Sequence, residues 1–167
     1  MPERKRCIID ASILLDFIAG NIVDTLFSLP FEFITSDIVA DEVSRSYSHD
    51  ALGDIGLQIV ELKEEEVLEI AELQIAHIEL SPKDISVYIL AREHRALLIS
   101  GDGPLRTMAD DQRIEYHGTL WLLDELLTRE LLPKSDAIKA LQAMLDKKRW
   151  LPRSECEKLI KKWESMK

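Results

Sequence analysis

Four carboxylates in this chain occupy positions where a fold can put them to chemical use. Asp10 closes the apolar run RCIID, and Asp102 follows the apolar run in ALLISGDGPLR, between Gly101 and Gly103. Asp84 is the third residue after Ser81 in SPKDISVYILAREHRA, and Glu42 lies within SDIVADEVSRSY. Two mark the ends of strand-like runs and two lie near the starts of helical ones. Carboxylates brought to one rim repel one another, so in isolation they hold protons or push the site open. A divalent cation removes that conflict. Mg²⁺ or Mn²⁺ takes oxygen ligands, keeps part of its water and needs only one or two direct carboxylates. Such an ion lowers the pKa of a water, orients it and offsets charge building on a phosphate. That chemistry is in-line hydrolysis of a phosphodiester, with no protein nucleophile. Rival signatures are absent from the sequence: there is no G-x-S-x-G and no Gly-rich loop ending in GK[ST].

Each acid also has a plainer use. Asp10 can cap a helix starting at Ala11. Asp84 can be half of a capping box with Ser81. Asp102 can be turn chemistry between its glycines. Glu42, beside Asp41, can face solvent. Asp110 and Asp111 read as the polar end of a short helix, and Asp16 as an exposed residue of the first helix.

The elements that must position these residues alternate. Strand-like runs are RCIID, FEFIT, GLQIVEL, LLIS and IEYH. Between them lie helical patterns. ASILLDFIAG places Ile13, Leu14, Phe17 and Ile18 on one face before Gly20. KEEEVLEIAELQIAH has an acidic first turn, as the helix dipole favours. SPKDISVYILAREHRA has Ser81 as N-cap and Pro82 in its first turn. PLRTMADD, TLWLLDELLTREL, SDAIKALQAMLDKK and SECEKLIKKW complete the set. Strand–helix alternation predicts a mostly parallel sheet covered on both faces, with right-handed crossovers. Working residues of such sheets lie at the carboxyl ends of the strands, near a switch in strand order.

At 167 residues the chain is about one domain long and can bury a real core. No run of 18 apolar residues suggests a membrane span, and Asp10 breaks the N-terminal apolar run too early for a secretory signal. Cys7 and Cys156 follow no metal spacing, which favours packing roles in a reduced, cytoplasmic protein. The formal charge is −10, which counts against a simple nucleic-acid binder. Its distribution is uneven. From residue 133 onward ten Lys or Arg face five Asp or Glu, +5, leaving −15 on the rest. The basic tail is either a solvated helix face or a contact for a partner or nucleic acid. His49, His77, His94 and His117 show no ligand spacing; Trp121 reads as core, and Trp150 and Trp163, flanking the basic tail, read as packing residues before base-stacking platforms.

Taken in order, IIDASILLDF, SDIVADEV, LSPKDISVYILAREHRALLISGDGPLRTMA and IEYHGTLWLLDEL resemble a PIN domain over residues 5–130. The family includes the VapC-like ribonuclease toxins of type II toxin–antitoxin pairs. The resemblance implies a three-layer α/β/α sandwich with a mostly parallel central sheet, plus C-terminal helices. It divides the chain into a PIN-like domain, 1–132, and a helical extension, 133–167, packed on or beside it. It implies an endoribonuclease dependent on Mg²⁺ or Mn²⁺. Its acidic residues correspond to Asp10, Glu42, Asp84 and Asp102, with Asp10, Asp84 and Asp102 as metal ligands. Ser12 and Ser100 match positions whose hydroxyl supports the ligands, and Arg106 matches one that reaches a phosphate or pairs with an acid. Family members often carry a further acid just after the fourth; here Gly103 and Pro104 stand there. Implied partners are an RNA substrate, an antitoxin or other protein, and a second copy in a homodimer.

Two other readings compete. A catalytically silent PIN-like module would bind RNA or protein without cutting. A phosphatase or receiver domain would use Asp10 as nucleophile, but Ser12 stands where a phosphatase wants a second Asp, and a receiver's acidic pair and Lys are missing.

Overall fold

A computed structural model describes residues 3–166, so the outermost residues of the two expected segments, 1–2 and 167, lie outside it. Five parallel strands form one sheet: β1 (Lys5–Ile9), β2 (Phe31–Ser36), β3 (Gln58–Val60), β4 (Leu97–Ile99) and β5 (Tyr116–His117). Their spatial order is β3-β2-β1-β4-β5. The chain therefore builds outward from β1 through β2 to β3, then returns and builds the other way. The switch falls between β1 and β4, where Ile9 pairs with Ile99. Ile8, Ile9, Ile34, Leu98 and Ile99 are buried, as strands covered on both faces require.

The helices are α1 (Ala11–Ala19), α2 (Val23–Leu26), α3 (Asp37–Val43), α4 (His49–Ile55), α5 (Glu64–Ala76), α6 (Pro82–His94), α7 (Gly103–Asp111), α8 (Thr119–Thr128), α9 (Lys134–Asp146) and α10 (Arg153–Ser165). Right-handed crossovers in the two directions put the helices of the two halves on opposite faces, giving the α/β/α sandwich. Helix α6 packs on β1, β2 and β4, with α5 and α7 against it. Asp84 to Ala91 are consequently buried all round. Two short helices, α2 and α4, lie where the sequence pattern gave none; four and seven residues are too few to show a helical period.

Helices α9 and α10 complete the layer that holds α1 and α8. Ala137, Ala140, Leu141 and Met144 are buried, with α9 on α1. Trp163 of α10 is fully buried, and its indole N–H donates to Asp124 Oδ1 at 3.1 Å. Trp150, between the two helices, is 98% exposed, contrary to its expected packing role. Trp121 is partly buried and stacks on His117, centroids 4.0 Å apart. Several tail cations clasp the acidic body: Lys162 reaches Asp124 at 2.9 Å and Arg149 reaches Asp16 at 2.6 Å. Among the described residues, no helix is long and apolar enough to cross a membrane.

Candidate active site

The switch between β1 and β4 opens at the carboxyl ends of those strands, and the first predicted acid lies there. Asp10 ends β1 and caps α1. Its backbone N–H donates to Ile99 O at 2.9 Å, fixing it to β4. Oδ1 accepts the Ala11 N–H at 2.8 Å, and Oδ2 accepts the Ser100 hydroxyl at 2.9 Å. The same Ser100 oxygen accepts the Asp102 N–H at 3.1 Å. One buried hydroxyl thus ties the end of β1 to the turn after β4, and Asp10 to the residue that carries the second acid.

Asp102 caps α7, accepting the Leu105 N–H at 3.0 Å through Oδ2. Asp84 forms the capping box with Ser81: its Oδ2 accepts the Ser81 N–H at 2.9 Å, and its own N–H donates to Ser81 Oγ at 3.3 Å. The plainer roles of these acids are therefore real, and each consumes only part of the carboxylate. Among the described residues, Oδ1 of Asp84 and Oδ1 of Asp102 accept no hydrogen bond, since each cap uses Oδ2 alone.

Burial pushes the Asp10 carboxyl up to about 6, and the nearby Asp84 adds to the rise against the Ser100 bond. Burial also raises Asp102, again with Asp84 contributing. The structure thus brings Asp10, Asp84, Asp102 and Ser100 into one electrostatically coupled group.

Glu42 joins this group through Lys83. Lys83 Nζ lies 2.7 Å from Glu42 Oε1, while Glu42 Oε2 is buried without a partner among the described residues. Partial burial works to lower the Lys83 ammonium; the bond to Glu42 and the charges of Glu42, Asp10 and Asp84 outweigh it and raise it. The expectation of four uncompensated carboxylates is therefore corrected: Lys83 stands among them as a resident cation. Its position held a signal, because a lysine in the first turn of a helix opposes the dipole and needs acids to hold it there. Ser36 and Ser86 join α3 to α6 through a 2.8 Å hydroxyl pair, so the helices carrying Glu42 and Lys83 are tied together.

Ser12 is half-buried, and its carbonyl accepts a bond from Arg149 at 3.2 Å. Arg106 makes no ion pair with an acid among the described residues. Its Nε donates to Ser100 O at 2.7 Å, and its guanidinium lies 5.0 Å from the Tyr116 ring centroid. Asp16, expected to be exposed, is 5% exposed. It accepts the Thr119 hydroxyl at 2.6 Å and Arg149 Nε at 2.6 Å, which allows a charge to sit inside. Its flanks, Leu14, Leu15, Phe17 and Ile18, already pointed to a helix apolar on most sides, where an acid requires a partner.

Among the described residues, no three His, Cys, Asp or Glu side chains are placed to enclose a metal ion. By chemistry alone the oxygen-only donors Asp10, Asp84 and Asp102, with Oδ1 of Asp84 and Asp102 unused, would suit a hard cation held mainly through its waters rather than by three direct ligands. They do not fit a dry cage for zinc.

One solved structure is similar at a low level. A PilT N-terminus domain protein from the hyperthermophilic archaeon Sulfolobus solfataricus P2 is 16% identical, with a TM-score of 0.47 over 71% of this chain and 91% of its own. No curated protein matches the chain. The family model DUF3368, a PIN domain, matches residues 6–165, from β1 to the end of α10. PIN domains are typically nucleases and generally use divalent metal ions. Over nearly its whole length, the chain belongs to the PIN domain family.

Proposed function

We propose that this PIN domain is an endoribonuclease dependent on Mg²⁺ or Mn²⁺. The observation that carries this reading is the Ser100 bridge, which holds Asp10 and Asp102 together at the switch point beside Asp84. Asp10, Asp84 and Asp102 are the residues that would hold the ion. When bound, such a cation acidifies a water and offsets charge on the phosphate. Ser100 and the Ala11 N–H fix the Asp10 carboxylate, so it does not reorganise during reaction. Oδ1 of Asp84, left free by the cap, is the atom that would face the ion or one of its waters. Glu42 orients Lys83, whose ammonium attracts a phosphate to the rim. Restraint by an antitoxin and pairing in a homodimer belong to the same reading, tested by the mass of the chain purified alone and with a neighbouring gene product.

The test is cleavage of a mixed RNA pool by the purified chain, with and without Mn²⁺. Cleavage should require the metal and vanish in Asp10→Asn while the fold persists. Absence of metal-stimulated cleavage with every RNA, the variant behaving identically, overturns the proposal. A second reading has its own observation. Lys83 already supplies a cation to the acids, as a catalytically silent module binding RNA or protein would require. That reading predicts no rise in melting temperature on adding Mn²⁺, whereas a metal-binding site gives one by mass action.

A further inference from the structure

Next to the acidic group lies a groove of about 480 Å³ that runs on to the loop before the last helix. Ser12, two residues from Asp10, and Gly101, between Ser100 and Asp102, line it together with Arg106, Trp121, Arg149 and Trp150. The Trp150 indole is 98% exposed. Its faces are open to a stacking partner, and a base is one that any single strand offers.

The charges of the groove separate cleanly. Asp16 and Arg149 neutralise each other at 2.6 Å. Glu155 faces Lys158 at 3.6 Å. Arg106 has no acid partner among the described residues; its Nε donates to a carbonyl and its guanidinium lies over the Tyr116 ring. The groove therefore offers one uncompensated guanidinium and one free aromatic face. That combination suits one phosphate and one unpaired base of a single strand. Arg106 is held through Ser100 O, the backbone of the residue whose hydroxyl orients Asp10. A phosphate on Arg106 would thus lie beside the acidic group. Arg149 sets the indole in place by anchoring its own loop to Asp16 and to Ser12 O.

We infer that this groove is a subsite for single-stranded RNA, with a base stacked on Trp150 and an adjoining phosphate on Arg106. The inference rests on the nuclease reading for the choice of RNA, and its test does not require cleavage. The full chain is titrated in EDTA with a fluorescent single-stranded RNA of about twelve nucleotides, within the usual span of such sites. Binding should quench tryptophan emission, and Trp150→Ala should remove the larger part of the quench, leaving that of Trp121, and weaken affinity about tenfold. Trp150→Phe should recover most of the affinity. Arg106→Gln should weaken binding and flatten its salt dependence by about one phosphate contact. The same sequence as a duplex should bind more weakly than the single strand.

Unchanged affinity in Trp150→Ala overturns the inference, as does failure of the native chain to bind any single strand. Loss of self-association in Trp150→Ala with RNA binding intact also overturns it, by assigning the indole to a second copy. Binding with the expected losses but no metal-stimulated cleavage would sink the nuclease proposal and leave the subsite standing. Cleavage with Trp150 and Arg106 both indifferent would do the reverse.

Discussion

Lys83 Nζ sits 2.7 Å from Glu42 Oε1, and the other oxygen of that glutamate is buried without a partner among the described residues. The ammonium is thus held at the edge of the acidic group rather than neutralising one acid fully. Both side chains remain more than a third exposed, so the pair itself contributes at most about 1 kcal/mol. Its larger effect is on the field felt by Asp10, Asp84 and Asp102. In Lys83→Met the metal-free protein should melt lower, and Mn²⁺ should raise its melting temperature by more than it raises the native protein's. Equal shifts in both, measured by thermal melting across a Mn²⁺ titration, would show that the ammonium and the metal do not share a field.

The position of Asp10 makes the metal-free protein sensitive to pH. Burial holds its folded carboxyl at about 6, above the ordinary range. The folded state therefore binds this proton more tightly than the unfolded chain does. Stability from this group is fully present below about pH 4, is lost as pH rises to about 6, and stays lost above; the size is about 3 kcal/mol. Asp102, shifted the same way, acts in the same direction. Urea unfolding of the metal-free chain between pH 4.0 and 7.0 should show this decline at roughly those values. Asp10→Asn should flatten most of it and be more stable than the native chain at pH 7. A native curve that rises through this window counts against the buried, unneutralised carboxylate.

Arg149 pairs with the buried Asp16 and also holds the loop that presents Trp150. Removing it in Arg149→Ala leaves Asp16 with only the Thr119 hydroxyl, an uncompensated interior charge costing about 3 kcal/mol. Adding Asp16→Asn should recover most of that loss, because the amide carbonyl can still accept from Thr119. Chemical denaturation of both variants measures the coupling. A double variant no more stable than Arg149→Ala alone would mean the cost lay in the loop, not in the charge.

The ease of reading this site from sequence differed residue by residue, for physical reasons. The caps made by Asp10, Asp84 and Asp102 were visible because capping calls for a short carboxylate at a strand end or helix start, and alternation of elements placed those ends on one rim. Ser100 was visible by position but not by function; its bridge to Asp10 spans 90 residues. Periodicity reports only which face a residue shares, never which distant residue it meets. The Asp16–Arg149 pair, 133 residues apart, and the Lys83–Glu42 pair, 41 apart, were hidden for that reason. Trp150 was misread because residue type alone does not distinguish a ring tucked between helices, as Trp163 is, from one set on the loop beside them.

Gly118 supplies a separate handle on the groove. A Cβ there would stand 2.6 Å from an Arg106 terminal nitrogen, the far end of a flexible side chain. The backbone at this position has φ −126°, which any residue can adopt. Gly118→Ala should therefore leave stability within about 1 kcal/mol of native, since the guanidinium can swing away. In doing so it must give up the Nε bond to Ser100 O and its place over Tyr116. Binding of single-stranded RNA should then fall to the level of Arg106→Gln, and the two changes combined should be no worse than either alone. Additive losses in the double variant would mean that Gly118 contacts the strand independently, and that the Arg106 position is not what the glycine protects.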